Sequence, residues 1–419
     1  MKHLKRKNRH LSRNARLERQ ILVMLALFSV AIGLWENFRQ LWMEGNGFSV
    51  QEVSSLTSLA TFISVAAIIL VGQRLKMGHI KGFMTITLGL RLLFFGLLAA
   101  ADGLGNQVLL GGLITLDIVS GYLVVAGIYP LITTVMKSTQ MYSRRKLVEY
   151  LFRDIGVLVG GILIGRQMLG STLDYNSCLL VAAAFQLGSF ITMYRIKVHA
   201  IGKEPARRAS IFHILKTSRL QRFYLSYSFL AATSFATALG LKMLILTRDF
   251  HFSDSAATNY LLIVGLISDI IGIYALKHFT PKNDYVTMTI KFGIRLVAYT
   301  IAVIAEDPFI SLLAMTWSIM ISTAYEDVSD GYYINIVDNR SQFQYSTLKQ
   351  VVTCTGEATG LMLGGLMYGF GVTAILGLSA LIMVVQMALA YYLIYLRKSR
   401  HRRRHSASRM RYDERLVDD

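Results

Sequence analysis

The chain has 419 residues, 53% of them hydrophobic and only 16% charged, with 44 Lys and Arg against 25 Asp and Glu for a formal charge of +19. A soluble protein of this length needs far more polar surface. The basic excess has no base-reading motif beside it, so nucleic acid is not an expected partner.

Residues 1–20 form a basic tail that runs into an apolar stretch, an arrangement that looks like a secretory signal. The stretch continues through Trp35-Glu36-Asn37-Phe38-Arg39 with no small-residue cleavage site, so it is a retained first span. About twelve apolar stretches follow one another, near 21–43, 51–72, 83–101, 107–133, 148–168, 178–194, 222–246, 255–275, 285–304, 309–335, 350–369 and 372–396. Each can cross a hydrocarbon core of roughly 30 Å at about 1.5 Å per residue. Between the sixth and seventh lies a polar linker, 196–221. Its Ile211-Phe212, Ile214-Leu215 and Leu220 have the spacing of an amphipathic interfacial helix. The linker separates a six-helix unit at 21–195 from another at 222–396, and a second basic tail occupies 397–419.

Most Lys and Arg fall in the tails, the linker and alternate loops, while the opposite loops hold Arg166 and Arg248. The positive-inside rule then places both termini in the cytoplasm of a multi-pass plasma-membrane protein. Its basic tails are expected to lie against anionic lipid of the bilayer. Cys178 and Cys354 are expected to be free thiols.

The two units are copies. Met84-Thr85-Ile86, Gly89, Arg91 and Leu92 match Met288-Thr289-Ile290, Gly293, Arg295 and Leu296 at a constant offset of 204 residues. Phe48-Ser49, Ile63-Ser64 and Ile69 match Phe252-Ser253, Ile267-Ser268 and Ile273. Gly156, Gly160, Gly161 and Gly165 match Gly360, Gly364, Gly365 and Gly369. A long constant offset means a duplicated module running in one sense, and parallel repeats of this kind build a transport site between two halves. The fold class expected is an all-α membrane protein of twelve transmembrane helices in two six-helix bundles.

Six plus six helices, a basic central linker and a parallel repeat together resemble the major facilitator superfamily. The segment Gly72-Gln73-Arg74-Leu75-Lys76-Met77-Gly78-His79-Ile80-Lys81 is similar to that family's signature between its second and third helices, with Leu75 where an acid would stand. The fifth-span glycines resemble the drug-antiporter signature but lack its Pro, and the fourth span carries Asp117 instead of that subgroup's Arg. The resemblance implies that the first, fourth, seventh and tenth spans line a central cavity. That assigns Glu36, Arg39, Asp117, Lys242, Asp327 and Asp330 to substrate or proton handling, with Trp35, Trp42, Tyr122 and Tyr129 as an aromatic wall. It also makes the fifth and eleventh helices meet between the halves, where their glycines form a seam for rocking or for static packing.

Charges inside a bilayer cost about 3 kcal/mol or more unless they face a partner or a cavity. Glu36 and Arg39, at i,i+3, can pair on one helix face. Adjacent Arg153 and Asp154 point about 100° apart and need partners on other helices. Asp269 is a candidate partner for Lys291. Arg91, Arg153, Asp154, Asp269, Lys291, Arg295 and Glu357 are expected to be inter-bundle or gating groups. Glu326, Asp327 and Asp330 lie close enough in sequence that one would carry a proton if they are within the membrane. A tenth helix ending near Tyr325 would instead leave all three in water.

All nine His fall in tails or loops, which argues against intramembrane haem ligation and most zinc chemistry, and no cofactor is expected. No Gly-Lys-Ser/Thr phosphate loop supports ATP-driven transport. A channel is disfavoured because neither half contains a filter-like loop. The function expected is monomeric secondary transport by alternating access, with protons exchanged for a small polar or amphiphilic solute in the export direction. Import, or movement of a lipid-type molecule between leaflets, is the alternative.

Overall fold

The structure is a computed structural model and describes residues 2–75, 77–135, 139–165, 175–196, 219–278 and 342–392, with isolated positions between 293 and 310 and at 395. Lys291, Arg295, Glu326, Asp327, Asp330 and nearly all of the linker lie outside the described residues.

The described chain is helical throughout: α1 Lys2–Glu36, α2 Arg39–Gly45, α3 Val50–Arg74, α4 Ile80–Ala101, α5 Gln107–Val135, α6 Thr139–Gly165, α7 Tyr175–Arg195, α8 Arg219–Leu239, α9 Asp254–His278, α10 Gln342–Tyr368 and α11 Val372–Tyr392. Among the described residues, eight helices are long and apolar enough to cross a membrane. Those spans leave Leu59, Ile86, Val108, Leu180, Ile270 and Leu381 on the outer surface, where lipid tails replace water as the neighbour.

The duplication holds at the level of backbone geometry. Gly47 has φ +86°, and its repeat mate His251 has φ +55°, so the same left-handed turn leads into α3 and into α9. Ser49 then caps α3, accepting the Glu52 N–H at 3.3 Å while its own N–H donates to Glu52 Oε2 at 2.7 Å. Its mate Ser253 accepts the Ala256 N–H at 3.3 Å. The matching Ile-Ser pairs share a sidedness: Ile63 and Ile267 face outward, whereas Ser64 and Ser268 are buried. The retained identities therefore mark turns, caps and helix faces.

Within the first half, α1 packs on α6 and α7, α4 on α5 and α7, and α3 on α5; in the second half, α8 packs on α10. The halves meet along two seams, α3 with α10 and α6 with α9. The expected direct meeting of the fifth and eleventh helices (α6 and α10) is thus corrected: each packs instead on a helix of the other half that is a repeat mate of its counterpart's partner. The reason is visible in the glycines. A Cβ on Gly161 would come 3.0 Å from Thr258 Cγ2, and one on Gly365 would overlap Ser54, with both pairs related by 204 residues. Gly156 and Gly360 serve a different contact. They bring α6 onto the α1 backbone at Val30 and Leu34, and α10 onto the α8 backbone at Thr233 and Thr237. Gly160 abuts Phe38 and Gly364 abuts Thr237, whereas Gly369 faces open space. Gly165 ends α6, and its surroundings lie outside the described residues.

Candidate functional site between the halves

Both halves break their first helix at nearly equivalent positions of the repeat. The first span turns at Asn37 and Phe38 between α1 and α2. The seventh turns at Gly240 and Leu241, then resumes as a short turn Lys242–Leu244 and a π-helical segment Ile245–Asp249. Breaks release backbone groups that a continuous helix would satisfy, and in a membrane these need new partners. One partner comes from the other half: Gln40 Nε2 donates to Gly240 O at 2.5 Å. On the same side, Arg248 pairs with Glu44, and Tyr175 Oη donates to Asp254 Oδ2. Tyr368 Oη also donates to Asp249 Oδ2 at 3.0 Å. The Gln40–Gly240, Glu44–Arg248 and Tyr175–Asp254 contacts join the halves on the Glu44 side.

Glu36 is exposed although it sits mid-span. Its electrostatic neighbours are Tyr122 on α5 and Lys242 on the seventh span. Lys242 belongs to the other half, so Glu36 lies near the boundary between the halves. Lys242 also lies within electrostatic reach of Asp154 and Arg153 on α6. Neither Glu36 nor Lys242 has a hydrogen-bonded or ion-paired side chain among the described residues. Tyr122 Oη donates to Glu357 Oε2 at 2.7 Å, so α5 and α10 form a further wall that crosses between the halves. The expected Glu36–Arg39 pair does not form. The turn at Asn37–Phe38 interrupts the helix that i,i+3 pairing presumes, and Arg39 Nη1 is found 3.8 Å from Asp117 Oδ2.

Asp117 is fully buried inside the first half. It accepts the Trp35 indole N–H at 2.8 Å and Arg91 Nε at 3.3 Å. The Arg91 guanidinium lies 5.3 Å from the Phe28 ring centroid and 5.2 Å from that of Phe95, so aromatic faces hold the rest of its charge. Arg91, expected at an inter-bundle contact, is thus an internal group of the first bundle, because every one of these partners belongs to that bundle. Asp117 likewise has no surface on the central space. Trp35 and Trp42 are buried edge-on at 5.7 Å and form no part of a cavity wall.

The α6/α9 seam carries the second charged group. Asp154 and Asp269 are both buried, on opposite halves, and their carboxyl groups adjoin. Asp154 Oδ1 also lies against Gly265 of α9, 3.2 Å from where a Cβ would stand. Arg153 interacts with Asp269, and its guanidinium lies 5.5 Å from the Tyr150 ring centroid. The adjacent Arg153 and Asp154 thus find separate partners, and Asp269 meets these two groups, with Lys291 outside the described residues. The repeat mates of Asp154 and Asp269 are Ala358 and Val65, so the α3/α10 seam carries no such acids. It is held by Ser54 Oγ donating to Leu361 O at 2.6 Å and Ser58 Oγ donating to Ala358 O at 2.8 Å.

Sequence inspection missed Gln40, Gly240, Tyr175, Asp254 and the Glu44–Arg248 pair. One signal was present: Gly240 is the repeat mate of Glu36, and a glycine there marks the second helix break. Cys178 and Cys354 are free, and both are buried. Among the described residues no group of His, Cys, Asp and Glu could hold a metal ion.

Solved structures share this fold. The human organic anion transporter MFSD10 superposes with a TM-score of 0.69 at 11% identity, over 90% of this chain and 99% of that one. The fucose:proton symporter of E. coli gives 0.63 at 16% identity over 90% and 98%. A bacterial homologue of the iron transporter ferroportin gives 0.66 at 11% identity over 90% and 98%. This chain has the major facilitator superfamily fold. No protein-family model and no curated protein matches its sequence. In the major facilitator fold two six-helix bundles face one another. The breaks at Asn37–Phe38 and Gly240–Leu241 lie on the facing helices here, with Glu36 and Lys242 beside them.

Proposed function

We propose that this chain is a secondary transporter working by alternating access, which moves a small polar or amphiphilic solute in exchange for protons. The observation that carries the reading is the pair Glu36 and Lys242. Glu36 belongs to the first half and Lys242 to the second, and the two lie within electrostatic reach of each other. Charges within a bilayer are costly unless a partner or a cavity serves them. The contacts on the Glu44 side join the halves there and support a closed outer gate. Parting them along the two seams would expose the same site to the other face.

Proton linkage is assigned to Asp154 and Asp269. Two buried carboxyl groups that adjoin favour a proton on one of them, and these two sit on opposite halves. When α6 and α9 part, that proximity is lost and the proton becomes exchangeable, so proton binding and conformation are linked. The apolar mates Ala358 and Val65 support this reading, because packing alone was met at the other seam without acids.

The test is reconstitution into vesicles with an imposed pH gradient and a panel of small solutes. Wild-type protein is expected to accumulate a solute only with the gradient. Asp154→Asn and Asp269→Asn are expected to retain solute counterflow and lose gradient-driven accumulation. Gradient-driven accumulation at wild-type levels in both variants would refute the assignment. The sign of the gradient that drives uptake separates export from import, and flux confined to labelled lysolipid would instead support translocation between leaflets.

A further inference from the structure

The two helix breaks are equivalent in position and opposite in charge. Glu36 closes α1 where its mate in the second half is Gly240, and Lys242 opens the resumed helix where its mate in the first half is Phe38. The duplication therefore supplied a symmetric frame, and the side chains on it are polarised: acid on the first half, base on the second. The Glu36 carboxylate attracts a cation. The Lys242 ammonium offers up to three N–H donors to an anionic group. Arg153 adds positive charge nearby, and Asp154 lies beside it in contact with Asp269.

The site is small. Gln40, one turn beyond Glu36, bonds to Gly240 O and bounds the site on the Glu44 side. The Tyr122–Glu357 bond forms another wall, and Tyr122 lies within reach of Glu36.

We infer that the site between the breaks binds a small zwitterion, its ammonium against Glu36 and its anionic group against Lys242. This rests on the transport reading above and names the solute class for it. A ligand of that kind touches each half with opposite charge and so pulls the two breaks together. A lone cation at Glu36 would be repelled by Lys242, and a lone anion at Lys242 would be repelled by Glu36.

The experiment uses the full-length protein in nanodiscs. Binding is measured for L-alanine, β-alanine and glycine betaine, then for ethylamine and propionate as size-matched single ions, and counterflow is measured for each. At least one zwitterion is expected to bind at least tenfold more tightly than either single ion. Glu36→Gln and Lys242→Gln are each expected to lose at least tenfold in that affinity, while Lys242→Arg stays within about threefold. Monodisperse elution and an unchanged thermal midpoint without ligand establish that each variant is folded. Equal or tighter binding of a single ion, no binding of any zwitterion, or unchanged affinity in both neutral variants would overturn the inference. If a single ion binds and exchanges, the zwitterion site fails and transport stands. If a zwitterion binds as expected but no probe exchanges, the site stands and the transport reading fails.

Discussion

Arg91 and Asp117 form a buried ion pair, Nε to Oδ1 at 3.3 Å, between the third and fourth spans of one bundle. With Trp35 and Arg39 also directed at Asp117, one carboxylate serves as counter-charge to two guanidinium groups. Removing it leaves a buried arginine unpaired, a change that costs about 3–5 kcal/mol in buried pairs generally. Asp117→Asn is therefore expected to lower the thermal midpoint by several degrees in detergent, and the double variant Asp117→Asn/Arg91→Met should recover much of the loss. A midpoint equal to wild type in the single variant would show that the pair carries no stability. This differs from the role the sequence suggests, in which Asp117 handles protons from a cavity wall.

That difference shows where sequence reading stops. Spans, duplication and glycine positions are written in composition and spacing, and the 204-residue offset carries through to Gly47 and His251, to the two serine caps, and to Gly161 and Gly365. Which side of a helix a lone charge faces is another matter. Asp117 lies on a helix whose apolar character is nearly uniform around its circumference, so no periodicity distinguishes the bundle interior from the central space. Glu36 and Arg39 read as a local pair because the turn at Asn37–Phe38 has no Gly or Pro to announce it. Asp154 and Asp269 belong to different halves, and no local pattern connects them.

Gly161 and Gly365 occupy equivalent places at the two seams, facing Thr258 and Ser54, so they should respond alike. Leucine at either position drives a branched side chain into the opposing helix and should hold the seam apart, since overpacking costs about 1–3 kcal/mol where the backbone cannot yield. Both variants are expected to exchange solute at least tenfold more slowly than wild type. Gly369→Leu supplies the internal control, because that position meets nothing within 4 Å. Counterflow of the three variants decides the matter. Equal rates in all three would mean that the glycines are incidental to movement.

The Glu44–Arg248 pair gives the clearest handle on the gate. Its two residues belong to different halves, on the side that Gln40–Gly240 and Tyr175–Asp254 also close. An exposed ion pair of this kind adds about 1 kcal/mol or less, so breaking it alone should shift the balance of states only modestly. A covalent bond in its place is a sharper probe. The double substitution Glu44→Cys/Arg248→Cys is expected to cross-link readily under mild oxidation, with little background because Cys178 and Cys354 are both buried. Cross-linked protein should lose counterflow, and a reductant should restore it. Retention of full counterflow after complete cross-linking would mean that the two residues do not separate during the cycle. In that case the closed side lies outside the moving part of the molecule, and the alternating-access reading would lose its outer gate.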